Sequence, residues 1–190
     1  NASSDNSVEI ISEKYPDIFI VKNQENLGYA QGNNLGLNYA AQKGADYLFV
    51  LNNDVILKKD CLSELITKIK AYPETAAIAP ISFYYDYPHK VDFAGGRISS
   101  IGTTLSIEKS IKEIIEINEP YSTTWLLGCA MLIPQSVYTQ VGGFDPRFFL
   151  LFEDSDWSLH AKKLGYKLMM APKSWIYHKV SRSFKRRWSP

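Results

Sequence analysis

Two rhythms of apolar residues alternate along the chain. Ile18-Phe19-Ile20-Val21 and Tyr47-Leu48-Phe49-Val50-Leu51 are short continuous runs, and each predicts a strand. The second is of the kind that lies inside a parallel sheet covered on both faces. Between them Leu27, Ala30, Leu35, Leu37, Tyr39, Ala40 and Ala41 keep helical spacing, closed by Lys43-Gly44. Asp60 is a candidate N-cap for a helix carrying Leu62, Leu65, Ile66 and Ile69, which Pro73 ends. Residues 76–81 read as the next strand. Strand, helix, strand, helix, strand in this order predicts an α/β protein with a doubly wound sheet.

The middle of the chain is less regular. Residues 83–99 alternate around the Gly95-Gly96 break and suggest a β-hairpin, whereas residues 107–117 fit either period. Residues 123–133 form a strongly apolar run, predicted as one strand and stopped by Pro134. A short helix at 135–141 ends at Gly142-Gly143, and a last helix from about 154 to 164 precedes a strand at 167–171. The opening segment, Asn1-Ala2-Ser3-Ser4-Asp5-Asn6-Ser7, is turn-rich, as if a strand preceded it.

Charge changes this picture little. Lys and Arg number 21 against 20 Asp and Glu over 190 residues, a formal net charge of +1, which argues against a nucleic-acid partner. The exception is the segment 179–190, where Lys179, Arg182, Lys185, Arg186 and Arg187 are interleaved with Phe184 and Trp188. Such a basic-aromatic tail suits an anionic membrane surface, at roughly 1 kcal/mol per basic residue near it. Cys61 and Cys129 stand far apart in apolar contexts and are expected as buried free thiols, consistent with a cytoplasmic protein.

Three segments carry candidate chemistry. Asn52-Asn53-Asp54 follows the apolar run at 47–51, and ligands of open α/β sheets bind beyond the carboxyl ends of strands. Asp54 is a hard oxygen ligand suited to Mg²⁺ or Mn²⁺, although Asn and Asp are also ordinary turn residues. Phe148-Phe149-Leu150-Leu151-Phe152 is apolar enough to be buried, yet it delivers Glu153, Asp154 and Asp156. Those carboxylates read either as helix-start residues or as a general base. Asn26-Leu27-Gly28-Tyr29-Ala30-Gln31-Gly32-Asn33-Asn34 can present amides or backbone N–H groups to a nucleotide, or simply form a tight loop and cap. His178, among aromatics, gains a metal role only if the fold brings it to Asp54.

Taken in order, the Asn26–Asn34 segment, Leu51-Asn52-Asn53-Asp54, Gly142-Gly143-Phe144-Asp145, Phe152-Glu153-Asp154-Ser155-Asp156 and Tyr177-His178-Lys179 resemble bacterial family 2 glycosyltransferases, and within them the rhamnosyltransferase-like group of cell-surface polysaccharide synthesis. The resemblance implies a GT-A fold over residues 1–178. It also implies an inverting transfer of a sugar from a nucleotide-diphospho-sugar to a saccharide or lipid-linked acceptor, at the inner face of the membrane. Asn52-Asn53-Asp54 falls on the family's Asp-x-Asp metal and diphosphate motif, with Asn52 in place of the first Asp. Asp54 and His178 would then hold the divalent cation. Asp154 would be the base with Glu153 beside it, and Asp5, Asn26, Gly28, Asn33, Asn52 and Asn53 would face the nucleotide. The family's first βαβ unit would precede Asn1, so the chain reads as N-terminally incomplete and is expected to self-associate. Two other readings fit parts of the pattern: a sugar-nucleotide pyrophosphorylase, whose Gly-rich basic loop is not seen, and a carbohydrate-binding module that has kept the fold without the activity.

Overall fold

The structure, a computed structural model, describes residues 1–99 and 101–179. It begins with α1 (Ser7–Lys14), which buries none of its residues, and α2 (Gly28–Gln42). Then come β1 (Tyr47–Leu51), β2 (Val55–Leu57), α3 (Cys61–Ala71) and β3 (Thr75–Tyr84). The middle holds β4 (Val91–Phe93), β5 (Gly96–Ile98), β6 (Thr104–Ser106) and α4 (Ile111–Glu116). The last third holds β7 (Tyr121–Thr123), β8 (Ala130–Pro134), α5 (Gln135–Val141), α6 (Glu153–Lys163) and β9 (Lys167–His178).

Seven strands make one mixed sheet in the order β1-β8-β3-β9-β2, with β4 added to β3 and β7 to β9. β3 and β9 run parallel, and the other pairings are antiparallel. β3 is buried along nine of its ten residues, as expected of a central strand covered on both faces. Alternation then divides the core. Ala77, Ala79, Met131, Ile133, Leu168 and Met170 join the side chains of α2, α5 and α6, while Ile78, Ala130, Leu132, Met169 and Ala171 meet Cys61, Leu65 and Ile69 of α3. Helices on both faces make the sheet doubly wound.

Four expectations are corrected. Residues 18–21 form no strand: they find no ladder partner among the described residues, and a lone strand leaves its backbone groups unpaired. Ile18, Phe19 and Val21 are exposed, and Phe19 instead stacks on Tyr39 at 3.8 Å. β1 is antiparallel to β8 rather than part of a parallel pair, with Leu48 and Val50 buried and Leu51 exposed. The run 123–133 is two strands, because the backbone of Gly128 spends its hydrogen bonds on side chains rather than on a ladder. Phe149, Leu150, Leu151 and Phe152 are exposed, not buried. Leu151 and Phe152 both adopt left-handed backbone (φ 73° and 71°), a costly turn that reverses the chain into α6.

The ambiguous stretch 107–117 resolves as α4, whose start is a capping box between Ser110 and Glu113. Both cysteines are free and buried. No helix among the described residues is long and apolar enough to cross a membrane. Apart from Lys179, the basic-aromatic segment 179–190 lies outside the described residues.

Candidate active site

β1 ends at Leu51, and Asn52, Asn53 and Asp54 form the turn into β2. The turn is tied at both ends: Asn52 N–H donates to Cys129 O at 2.9 Å, and Lys179 N–H donates to Asp54 O at 3.0 Å. The second bond exists because β2 pairs with the end of β9, where Val55 faces His178. His178 Nε2 lies 3.4 Å from Asp54 Oδ1. That oxygen is buried and has no hydrogen-bond partner, so it is available to a cation.

On the other side of the imidazole stands a residue that sequence reasoning missed. Asp92 Oδ2 is 3.3 Å from His178 Nδ1 and accepts the Ser82 hydroxyl at 2.8 Å. Burial by itself would lower the His178 pKa, but Asp92 and then Asp54 outweigh it, so the net shift is upward. No local pattern singles out Asp92. Only the β3–β4 pairing, which sets Phe93 against Ser82, carries it there.

The second corner is built by α6. Glu153 and Asp154 open this helix and are buried, 6% and 8% exposed. Asp154 Oδ2 accepts Gly128 N–H at 2.9 Å, and its Oδ1 accepts Ser155 N–H at 2.7 Å and the Ser155 hydroxyl at 3.1 Å. Burial raises the Asp154 pKa above the ordinary carboxylate value in spite of these bonds. Glu153 is also raised, by burial and by the Asp154 charge, and its buried Oε2 has no hydrogen-bond partner. Asp156 is half-buried in the same first turn.

Tyr29 links the corners. Its hydroxyl sits 2.9 Å from Asn52 Oδ1 and 2.8 Å from Gly128 O. Gly128 therefore accepts from Tyr29 through its carbonyl and donates to Asp154 through its N–H. Burial, with Cys129, Glu153, Asp154 and Asp54 adding to it, pushes the Tyr29 phenol well above its usual range, so it keeps its proton and stays a donor. Asp54, Glu153 and Asp154 thus all act electrostatically on this one phenol.

The remaining candidates are less central. Asn52 has its side-chain oxygen against the Tyr29 hydroxyl, whose single proton it shares with the Gly128 carbonyl, and Asn53 is exposed on the turn. Asn26 Oδ1 accepts from Gly28 N–H and from the Asn1 amide, both at 3.0 Å. Leu27 N–H goes to Asn1 Oδ1 and Tyr29 N–H to Phe149 O, so three backbone donors at the start of α2 are already spent within the protein. Gly28 (φ +76°) is required there, because a Cβ would run into the Phe149 carbonyl. Asn33 donates to Tyr29 O on its own helix at 2.9 Å. Asp5 is exposed, and its carboxylate accepts Ser7 N–H at 3.1 Å at the start of α1.

Chemically, the Asp54 corner offers a buried free carboxylate oxygen facing an imidazole nitrogen, a donor set suited to a hard divalent cation. Asp54 and His178 would be its two protein ligands, a number sufficient for Mg²⁺ or Mn²⁺ when phosphates and water supply the rest. Among the described residues no three His, Cys, Asp or Glu side chains form a ready cage, which agrees with Asp92 lying behind the ring.

Comparison with known proteins adds the family. A sequence profile described as Glycosyl transferase family 2 matches residues 1–157. The chain is 24% identical over 205 residues to an N-acetylglucosaminyl-diphospho-decaprenol L-rhamnosyltransferase of Mycobacterium tuberculosis, covering 96% of this chain and 66% of that protein. It is 29% identical over 166 residues to the rhamnosyltransferase WbbL of Escherichia coli strain K12, covering 76% of this chain and 58% of WbbL. It thus spans between half and two thirds of these relatives. Among solved structures, GalNAc-T7 with UDP, GalNAc and Mn²⁺ superposes with a TM-score of 0.72 at 18% identity, over 92% of this chain and 35% of that one. The likeness shows a GT-A fold.

Proposed function

The chain belongs to glycosyltransferase family 2, and from that premise we propose that it is the catalytic part of an inverting sugar transferase. Its donor is a nucleotide-diphospho-sugar. The names of its relatives favour a rhamnosyl unit and a saccharide carried on a lipid diphosphate as acceptor. Such an acceptor would place the protein in the cytoplasm, peripheral to the membrane.

The observation that carries this reading is the union of the two corners through Tyr29 and Gly128. A base for the acceptor and a ligand for the donor's diphosphate must stand a sugar's breadth apart, and this hydrogen-bonded bridge ties Asp154 to Asn52, two residues before Asp54. Asp154 takes the proton from an acceptor hydroxyl. The oxygen forms its bond to the anomeric carbon from the face opposite the nucleotide. The bond from that carbon to the diphosphate oxygen breaks, and the nucleoside diphosphate leaves with the electron pair. Burial suits Asp154 to this task, because a raised pKa strengthens a carboxylate as a base. A cation held by Asp54 and His178 would offset the charge collecting on the leaving diphosphate.

Glu153 is the rival base, since its buried Oε2 is unpartnered whereas both Asp154 oxygens are hydrogen-bonded. Its place beside Asp154 also suits contact with the acceptor. The test is a donor screen on the intact protein with its acceptor, scoring nucleoside diphosphate release from UDP-, dTDP- and GDP-sugars. Acceptor-dependent release from a rhamnosyl donor is expected. Absence of release from every donor, with Mn²⁺ and acceptor present, would sink the reading.

A further inference from the structure

His178 is held by its backbone from two sides, yet nothing in those ladders sets the angle of its ring. β3 pairs with it through Tyr84, β2 through Val55, and its carbonyl accepts Tyr85 N–H at 2.9 Å. The ring is 11% exposed and lies between two carboxylates that treat it differently. Asp92 Oδ2 meets Nδ1 in hydrogen-bonding geometry at 3.3 Å. Asp54 Oδ1, 3.4 Å from Nε2, is in contact without a hydrogen bond. A proton on Nδ1 would be shared with Asp92 and would leave the Nε2 lone pair facing Asp54.

We propose that Asp92 is a positioning residue for the cation site: it fixes the tautomer and the ring angle of His178, so that Nε2 and Asp54 Oδ1 converge on one divalent ion. This rests on the cation reading given under Proposed function. A carboxylate behind a metal-ligating histidine is a recurrent physical arrangement, because it both orients the ring and raises its basicity. Asp92 is itself fixed in turn. The buried Ser82 hydroxyl donates to the same Oδ2 at 2.8 Å, and the Asp92 side chain is only 11% exposed. Since that oxygen lies beyond Nδ1, on the far side of the ring from Asp54, Asp92 acts through His178 and does not ligate the ion.

The test has two readouts, neither of which requires sugar transfer. The first is the tautomer of His178 by long-range ¹H–¹⁵N NMR on the metal-free 190-residue chain, at a pH where the ring is neutral. The Nδ1–H form is expected in the parent and a shift toward Nε2–H in Asp92→Asn. The second is Mn²⁺ binding, followed by electron paramagnetic resonance. Affinity should fall roughly 10–100-fold in Asp92→Asn, and less in Ser82→Ala, which removes only the hydroxyl that steadies Asp92. A parent in the Nε2–H form overturns the proposal whatever the variants do, so it stays falsifiable if Asp92→Asn does not fold. Equal Mn²⁺ affinity in parent and Asp92→Asn overturns the role of Asp92 alone. A parent that binds no Mn²⁺ overturns both this inference and the cation reading beneath it.

Discussion

The two corners of the candidate site hold carboxylates by opposite means. At the Asp54 corner, negative charge faces an imidazole, and one carboxylate oxygen is left free. At the Asp154 corner the carboxylates form no ion pair with a basic side chain among the described residues, and Asp154 is held by backbone N–H groups and a serine hydroxyl. The difference is what the proposed transfer would require. A cation ligand must stay ionised and open. A base must be oriented without a neighbouring positive charge, which would drain its basicity. Burial does the tuning at the second corner, raising both Glu153 and Asp154.

The sharpest way to break this contrast is Asp154→Asn in the intact protein. It should lower kcat by roughly 10²–10⁴-fold, the usual contribution of a positioned acid or base. Donor affinity by calorimetric titration should hardly change, because the base acts in the transition state. Near-normal turnover would transfer the role to Glu153, and the same assay on Glu153→Gln would show it.

Asp54→Ala attacks the other corner. Mn²⁺ affinity should fall by more than the roughly 10–100-fold expected for a residue behind the ligand, and donor binding should weaken with it. If donor affinity depends on Mn²⁺ equally in parent and variant, Asp54 is not the ligand.

The pH dependence sharpens the contrast further. A base whose folded pKa is raised gains activity as pH rises through that value. The acid limb of kcat should therefore lie above the ordinary Asp range of about 4. Stability has the opposite sign. A raised carboxylate favours the folded state below its unfolded pKa, and that contribution is lost as pH rises through the folded value. Asp154→Asn should remove the corresponding part of the pH dependence of thermal unfolding. An acid limb at or below the ordinary value would mean that burial does not tune this group.

The smallest effect is expected from Glu153→Gln. It removes the charge from a buried oxygen with no hydrogen-bond partner and should raise unfolding stability by roughly 1 kcal/mol, in the range of other substitutions that relieve functional strain. Loss of stability in denaturant titration would show that the Glu153 charge has a partner in solution.

Much of this architecture is legible in the order of the residues alone. Runs such as 47–51 and the spacing from Leu27 to Ala41 identify β1 and α2, because a face that must be buried imposes its period on the residues that form it. Asp54 and the pair Glu153 and Asp154 stand out because polar residues at the edge of apolar runs are costly unless used. Tertiary structure decided what depends on a partner. Residues 18–21 have the composition of a strand but find no neighbour to pair with, and β1 has the composition of a buried parallel strand but pairs antiparallel with β8. Phe149, Leu150, Leu151 and Phe152 look like core and lie at the surface, because the left-handed turn into α6 carries them outward. Asp92 stands 86 positions from His178, and Gly128 joins Asp154 to Tyr29 from 26 residues away on one side and 99 on the other. Local sequence carries the period of each element and the chemistry of each side chain. Which elements become neighbours is set by the packing of the whole sheet, and those long-range pairings determine which polar groups meet.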